Sequence, residues 1–257
     1  MNRSRAPVPP DAGTPAGAAS SLHRQPLYQQ IRQAILNALE AGEWPAGGLI
    51  PSEFELARRY GVSQGTVRKA VEVLVSEGLL RRRQGKGTYV LSHAESGAQY
   101  RFLRLRPDEG PAVQPSSHIL QCRRVRATAE VQRALGARAA DTVLHIRRLL
   151  VFADEPVVLD DIWLAGEEFR QLTAQRLAGH SGRLYSVFET ELGTKMLHAS
   201  ERVRAVAAEP EVAEALKVPP GTPLLKVERI TSTFHGRPVE LRHGFCRTDR
   251  HHYANEL

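Results

Sequence analysis

PSEFELARRYGVSQGTVRKAVEVLVSEGLLRRRQGKGTYV, residues 51 to 90, decides the fold of this chain: its caps, glycines and apolar spacing spell two helices and a short ribbon. Ser52 followed three residues later by Glu55 is a capping box, in which a side-chain oxygen and a carboxylate each satisfy an orphan backbone N–H. A helix over Glu53 to Tyr60 follows. Gly61 stops it, because only glycine takes the left-handed conformation without steric cost, and Val62 packs inward from the turn. Ser63 starts the next helix, along which Val67, Val71, Leu74 and Val75 make a narrow apolar stripe while Gln64, Arg68, Lys69 and Glu72 lie off it. Gly78 ends that helix before Leu79 and Leu80. Arg81 to Arg83 lead into a strand, Gln84-Gly85-Lys86-Gly87 forms the connection, and Thr88, Tyr89 and Val90 return as its partner.

LYQQIRQAILNALEA, residues 27 to 41, completes the unit with an apolar face of Leu27, Ile31, Ala34, Ile35, Ala38 and Leu39, ended by Gly42. Three helices and a basic wing make a helix-turn-helix module, whose second helix enters the major groove of duplex DNA. At the start of that helix Ser63, Gln64, Gly65, Thr66 and Arg68 are the candidate contacts. Glutamine pairs best with adenine through N6 and N7, and Gly65 lets the helix N-terminus approach the backbone. Arg82, Gln84, Gly85, Lys86 and Gly87 of the wing suit phosphate: the glycines permit close approach and the cations neutralise it. Ser52 is first a helix cap, and a cap there can also touch phosphate. A run such as Arg81 to Arg83 is by itself an ordinary solvated face; the surrounding helices and glycines decide for DNA. One such helix covers only a few base pairs, so a homodimer on a near-palindromic operator is expected.

Charge agrees. Residues 1 to 92 hold 12 Lys/Arg against 7 Asp/Glu, so five of the seven net positive charges lie there. The 257 residues allow two cored domains. Residues 1 to 24, rich in Pro, Ala, Gly and Ser, read as a disordered tail without a signal peptide's apolar core, residues 25 to 91 as the DNA-binding domain, 92 to 98 as linker and 99 to 257 as a second domain. No apolar run approaches a membrane span. Cys122 and Cys246 are too few for a disulfide framework or zinc site, which suits a cytoplasmic protein. His145, His198 and His243 lie on predicted strands without ligand spacing, His251-His252 sits in a polar tail, and neither metal nor cofactor is expected. YRFLRL (100 to 105) reads as an edge strand, and the Pro-rich RPDEGPAVQPSS after it as a flexible loop able to cover a pocket.

The second domain contains a repeat. Residues 124 to 163, RVRATAEVQRALGARAADTVLHIRRLLVFADEPVVLDDIW, match 202 to 245, RVRAVAAEPEVAEALKVPPGTPLLKVERITSTFHGRPVELRHGF. Each copy runs from an RVRA strand through a short helix to a strand bearing Arg148 or Arg229, a hairpin ending in Pro-Val, and a last strand. Two copies imply two halves of one antiparallel sheet about a pseudo-two-fold axis, with a cleft between equivalent strands.

PLYQQIRQAILNALEAGEW, LIPSEFELARRYGVSQGTVRKAV and LLRRRQGKGTYV resemble the winged helix-turn-helix of the GntR superfamily of bacterial transcriptional regulators over about residues 25 to 91. This chain departs from many members at Phe54 and Gln64, where they carry arginine, and at Gly65, where they carry threonine; these positions bear on which operator is read. HIRRLLVFADEPVVLDDIWL, RLYSVFE and RPVELRHGFCRTDRHHY resemble the UTRA ligand-sensing domain of the HutC-type subfamily, an α+β antiparallel-sheet fold similar to chorismate lyase. That resemblance implies effector contacts at Arg148, Asp160 and Glu240. Leu150 stands where a second arginine clamps phosphate in members that sense phosphorylated sugars. A phosphosugar is thereby put in doubt and an organic acid favoured, with Arg242 a candidate replacement for the lost charge. Each of these residues also suits a plain salt bridge across the sheet.

The implied function is a ligand-responsive transcriptional regulator, a repressor as is usual in the family. A lyase-like enzyme using Arg148 and Glu240 and a ligand-free architectural DNA-binding protein are the alternatives. The DNA module disfavours the first and the duplicated, pocket-forming half the second. No nucleophile elbow, phosphate loop or paired-cysteine signature is present.

Overall fold

The computed structural model describes residues 25–92, 102–111, 114–178 and 183–255; the expected tail and most of the expected linker lie outside them. Helices α1 (Leu27–Glu40), α2 (Glu53–Tyr60) and α3 (Gln64–Ser76) precede a hairpin of β1 (Leu80–Arg83) and β2 (Gly87–Val90). Ser52 and Glu55 form the capping box and Gly61 is left-handed at φ 64°. The three arginines belong to β1 itself, with Arg83 opposite Gly87. On α1, Leu36 is buried and Leu27 half exposed, so the apolar face is rotated toward Leu36 from the expected one. Ile35, Leu56, Val67, Val71 and Leu74 are fully buried in one cluster, joined from the distant half of the chain by Leu197 and Phe234.

The second half is a six-stranded antiparallel sheet in the order β4-β5-β6-β9-β8-β7, comprising β4 (Ser116–Arg126), β5 (Thr142–Phe152), β6 (Glu155–Leu164), β7 (His198–Ala207), β8 (Pro223–Ser232) and β9 (Pro238–Cys246). The order is the repeat made visible: each copy contributes three neighbouring strands and the copies meet at β6 and β9. Aligning the two Pro-Val sequences makes Asp161 equivalent to His243, and these two face each other across the junction, so the pseudo-two-fold axis passes between them. The β5–β6 turn places Ala153 and Asp154 both at positive φ, as the primed turns of two-residue hairpins require. Helices α4 (Ala129–Leu135) and α7 (Pro210–Leu216) cover one face. The other is covered by α5 (Ala174–Ala178) and α6 (Leu184–Leu192), through Leu177, Leu184, Val187 and Phe188 against Leu144, Ile146, Ile162 and Leu164.

Three expectations are corrected. Of the described residues of YRFLRL, 102 to 105, only Leu105 enters a strand, β3 (Leu105–Pro107), which pairs with β10 (His251–Tyr253) in a separate two-stranded sheet and not at the edge of the large one. His251 and His252 are therefore strand residues. His252 sits 2.8 Å from Asp108, and His251 lies edge-on to Phe152. The Pro-rich stretch is not a loop throughout: its Ser116 and Ser117 begin β4, paired to β5, while its Pro107, Asp108, Glu109 and Pro111 line an open pocket beside Phe152 and His251. The physical reason is register, since those serines lie opposite Val151 and Leu150 and extend the ladder.

Candidate DNA interface and effector cavity

Ser52 accepts from the Glu55 N–H at 3.2 Å and its own N–H donates to Glu55 at 2.8 Å. The Ser52 hydroxyl, donating to the Glu55 carboxylate at 2.8 Å, and the Ser52 N–H together hold that carboxyl below the ordinary carboxylate range. Ser63 caps α3 the same way, accepting from the Thr66 N–H at 3.2 Å and sharing a 2.9 Å bond with the Thr66 hydroxyl. Both hydroxyls are thus committed locally, and Gln64 and Gly65 project from the exposed first turn. A Cβ on Gly65 would meet only the Ser63 hydroxyl, at an ordinary 3.9 Å, and one on Gly85 at the wing tip would meet open space, whereas one on Gly87 would fall 2.8 Å from Leu49. Packing against Leu49 thus accounts for Gly87, and close approach to a backbone is left to Gly65 and Gly85.

Glu53, on α2, ties recognition helix to wing by accepting from Arg68 at 2.9 Å and from Arg82 at 2.7 Å. The Arg83 guanidinium covers the Tyr89 ring at 4.6 Å. Lys86 stands exposed beside Gln84 and Gly85. Gln64, Arg68, Arg82 and Lys86 therefore share one basic surface running from the start of α3 to the wing.

The second site lies on the α6 side of the sheet. Side chains alternate along strands, so Arg148, Asp160, Arg229, Glu240 and Arg242 all face this side. Arg148 Nε donates to Asp160 Oδ2 at 3.1 Å, and Arg242 Nη1 reaches the same oxygen at 3.4 Å. Arg242 Nε also donates to Glu240 at 3.0 Å, and the Tyr185 hydroxyl donates to Glu240 at 2.9 Å. Arg229, equivalent to Arg148 in the repeat, pairs with Glu201 and donates to the Phe102 carbonyl. Burial works to raise the Asp160 carboxyl, but Arg242 and Arg148 outweigh it and hold the group below its ordinary value. Burial, reinforced by Glu240, pushes the Tyr185 phenol up.

A partly open cavity of about 50 Å³ lies here, lined by Arg148, Asp160, Arg229 and Arg242 on the sheet, with Leu150, Val158 and Cys246 as an apolar wall and Phe102 to Leu105 along its rim. Arg148, Asp160 and Arg242 are thus brought together as the sequence suggested. Glu240 is fully buried behind Arg242, Tyr185 and Thr231 and does not line the cavity. Sequence reasoning missed Arg229, Tyr185, Phe102 and Glu201. Only Arg229 had a signal, its place opposite Arg148 in the repeat.

On the opposite face, His145 bonds Asp161 at 2.9 Å and stacks on Trp163 at 5.0 Å. Glu130, Glu228 and His243 bring one donor atom each within 4.8 Å, a grouping invisible in the sequence spacing. Lys226 already supplies positive charge there, 2.9 Å from Glu228. Burial, with Lys226 nearby, keeps the His243 imidazole below its ordinary value.

Comparison with known proteins places both sites in context. A family model described as bacterial regulatory proteins, gntR family, matches residues 27–90, and one described as UTRA domain matches residues 112–252. An HTH-type transcriptional regulator of Mycobacterium tuberculosis is 30% identical over 90% of this chain and 86% of its own length. A protein of Escherichia coli K12 named a probable fructoselysine utilization operon transcriptional repressor is 29% identical over 91% and 95%. Among solved structures, a chain described as the ligand-binding domain of a GntR-family transcriptional regulator from Bordetella bronchiseptica shares 50% identity at a TM-score of 0.58, covering 60% of this chain and 96% of that one.

Proposed function

The chain belongs to the GntR family of bacterial regulatory proteins with a UTRA domain and is a ligand-responsive DNA-binding transcriptional regulator; from that premise we propose a cytoplasmic repressor that binds its operator as a homodimer and releases it when a small organic acid enters the cavity. The repressor reading follows relatives that bear that word in their names, in Escherichia coli and Bacillus subtilis. No helix of the described residues is long and apolar enough to cross a membrane.

The observation that carries the ligand class is the charge balance around the cavity. Arg148, Arg229 and Arg242 are matched by Asp160, Glu201 and Glu240, so each guanidinium already holds a carboxylate. Arg104 adds one further positive charge to the lining, which matches a single carboxylate better than a dianionic phosphate, and that carboxylate can exchange places with one of these partners beside the apolar Leu150 wall. Arg148, Asp160, Arg229 and Arg242 are the proposed contacts, and Glu240 acts by positioning Arg242. No ligand is turned over on this reading, because every polar group is engaged in holding charge and none is poised as a nucleophile.

A cavity of 50 Å³ holds a water or two, since ligand sites run to roughly 300 Å³ or more. Entry of an effector therefore displaces Phe102 to Leu105 and breaks the bond from Arg229 to the Phe102 carbonyl. Only a ligand that favours one arrangement of the chain over another changes operator affinity, and this displacement provides the difference. Footprinting on the DNA beside the protein's own gene, with and without a panel of metabolic carboxylates and their phosphorylated counterparts, tests the proposal. Release by a carboxylate supports it; release by phosphosugars alone refutes the ligand class.

A further inference from the structure

Phe54 and Leu49 are 61% and 55% exposed, the two most exposed large apolar side chains among the described residues. They are not scattered. Both line one open groove between the starts of α2 and α3 and the wing, whose other walls include Gln64, Lys86 and Thr88. Phe54 is the second residue of α2, outside the buried cluster that holds the three helices together. Leu49 leans on Gly87 and bridges to Tyr89 of β2, which braces it against the wing. A phenyl ring left this exposed gains little from burial in the free protein, and beside Leu49 it presents apolar surface to whatever fills the groove. Gln64 and Lys86 flank it, and these are the residues whose chemistry suits adenine and phosphate, so the groove is continuous with the DNA-facing surface.

In the major groove the one apolar group displayed by a base pair is the C5-methyl of thymine, which apolar side chains contact. We propose that Phe54, backed by Leu49, reads a thymine in each operator half-site through that methyl, next to the A·T step addressed by Gln64. This rests on the assignment of α3 and the wing to the DNA face. It adds a readout that neither charge nor hydrogen bonding supplies: T·A is distinguished from C·G by shape and hydrophobicity.

The test uses the full-length protein and a duplex selected by it from random sequence. Each thymine is replaced in turn by deoxyuridine, which keeps pairing and removes only the methyl. For the parent, one replacement per half-site lowers affinity about four-fold, the loss expected for one buried methyl. Phe54→Ala binds the thymine duplex more weakly and no longer distinguishes uracil at that position, while Lys86→Ala weakens binding but keeps the distinction. The proposal is overturned if no replacement affects the parent, or if Phe54→Ala weakens thymine and uracil duplexes equally and retains the parent's sensitivity, as contact with a deoxyribose or a packing role would produce. If Gln64→Ala and Lys86→Ala leave binding unchanged, the DNA-face assignment has failed, and the uracil result for Phe54 still reports on its own contact. Unchanged thermal unfolding of Phe54→Ala separates loss of contact from loss of fold.

Discussion

Tyr185 and Glu189 stand one turn apart on α6 and serve opposite ends of the molecule. From the cavity wall the Tyr185 hydroxyl donates at 2.9 Å to Glu240 behind it, and the Glu189 carboxylate accepts from Ser92, just beyond the wing, at 2.7 Å. Residues four apart lie on one helix face, so a shift of α6 at the cavity is felt at the wing without an intervening chain of contacts. Leu197 and Phe234 pack into the core of the DNA-binding helices beside this junction, and His235 bonds Glu40 of α1 at 2.6 Å.

Tyr185→Phe should therefore retain operator affinity without effector and show a smaller drop when effector is added. Losing one hydrogen bond shifts an equilibrium by roughly 0.5–1.5 kcal/mol, up to about ten-fold. Ser92→Ala should raise amide exchange across residues 80 to 90 and leave β9 unchanged. Equal exchange in both proteins means that α6 does not connect the two halves.

Arg148→Ala should bind operator as the parent does and fail to respond to effector. It removes one partner of a buried pair, a change that costs about 3–5 kcal/mol when the remaining charge is left alone. Asp160 keeps Arg242 at 3.4 Å, so the stability loss in urea unfolding should fall below that range. A normal effector response would return Arg148 to a purely structural salt bridge.

Asp160 makes stability depend on acid. Its carboxyl is held below the ordinary 3.8 in the folded chain, so the unfolded chain takes up the proton first. The contribution is complete above 3.8 and is lost as pH falls through the lower folded value. Unfolding free energy measured downward from pH 5 should decline more steeply for the parent than for Asp160→Asn, which starts less stable because Arg148 loses its carboxylate. Parallel slopes would show that the pair contributes nothing to acid sensitivity.

Local chemistry made much of this legible in the sequence. The capping box at Ser52, the left-handed Gly61 and the wing glycines are decided within a few residues, and the repeat foretold a sheet whose strand order is its own mirror. Arg148 and Asp160 were legible through the resemblance to the UTRA domain, and Arg242 as a replacement for the charge missing at Leu150. What escaped depends on distant packing. Nothing near Tyr185 announces that α6 brings it to Glu240, and nothing near Phe102 announces that its carbonyl is taken by a residue 127 positions away. Nothing near Leu197 or Phe234 announces that the DNA-binding helices dock on them. Glu240 was expected at the ligand from the UTRA resemblance, but Arg242 and Tyr185 fill the space in front of it.

Ser52→Ala should destabilise the DNA-binding half by about 1 kcal/mol, within the roughly 0.5–2 kcal/mol range for an N-cap serine. Both bonds of the box are present, so Glu55→Ala should cost less than Ser52→Ala, and the double variant less than their sum. Thermal unfolding followed by circular dichroism reports this, and additive losses would show that the box is not reciprocal.

Gln64 and Lys86 separate the two kinds of DNA contact. Gln64 lies in the first turn of α3, free of the Ser63–Thr66 cap, where a carboxamide can meet an adenine edge. Gln64→Ala should lose roughly 1–3 kcal/mol of preference at one base step and leave binding to random duplex nearly unchanged. Lys86 is at the wing tip, where its charge sees phosphate whatever the sequence. Lys86→Ala should weaken selected and random DNA alike and lower the slope of log affinity against log salt by about one. Fluorescence anisotropy at several salt concentrations measures both. If the two variants lose affinity equally on selected and random duplexes with the same salt slope, Gln64 reads no base and the recognition surface must be placed elsewhere along α3.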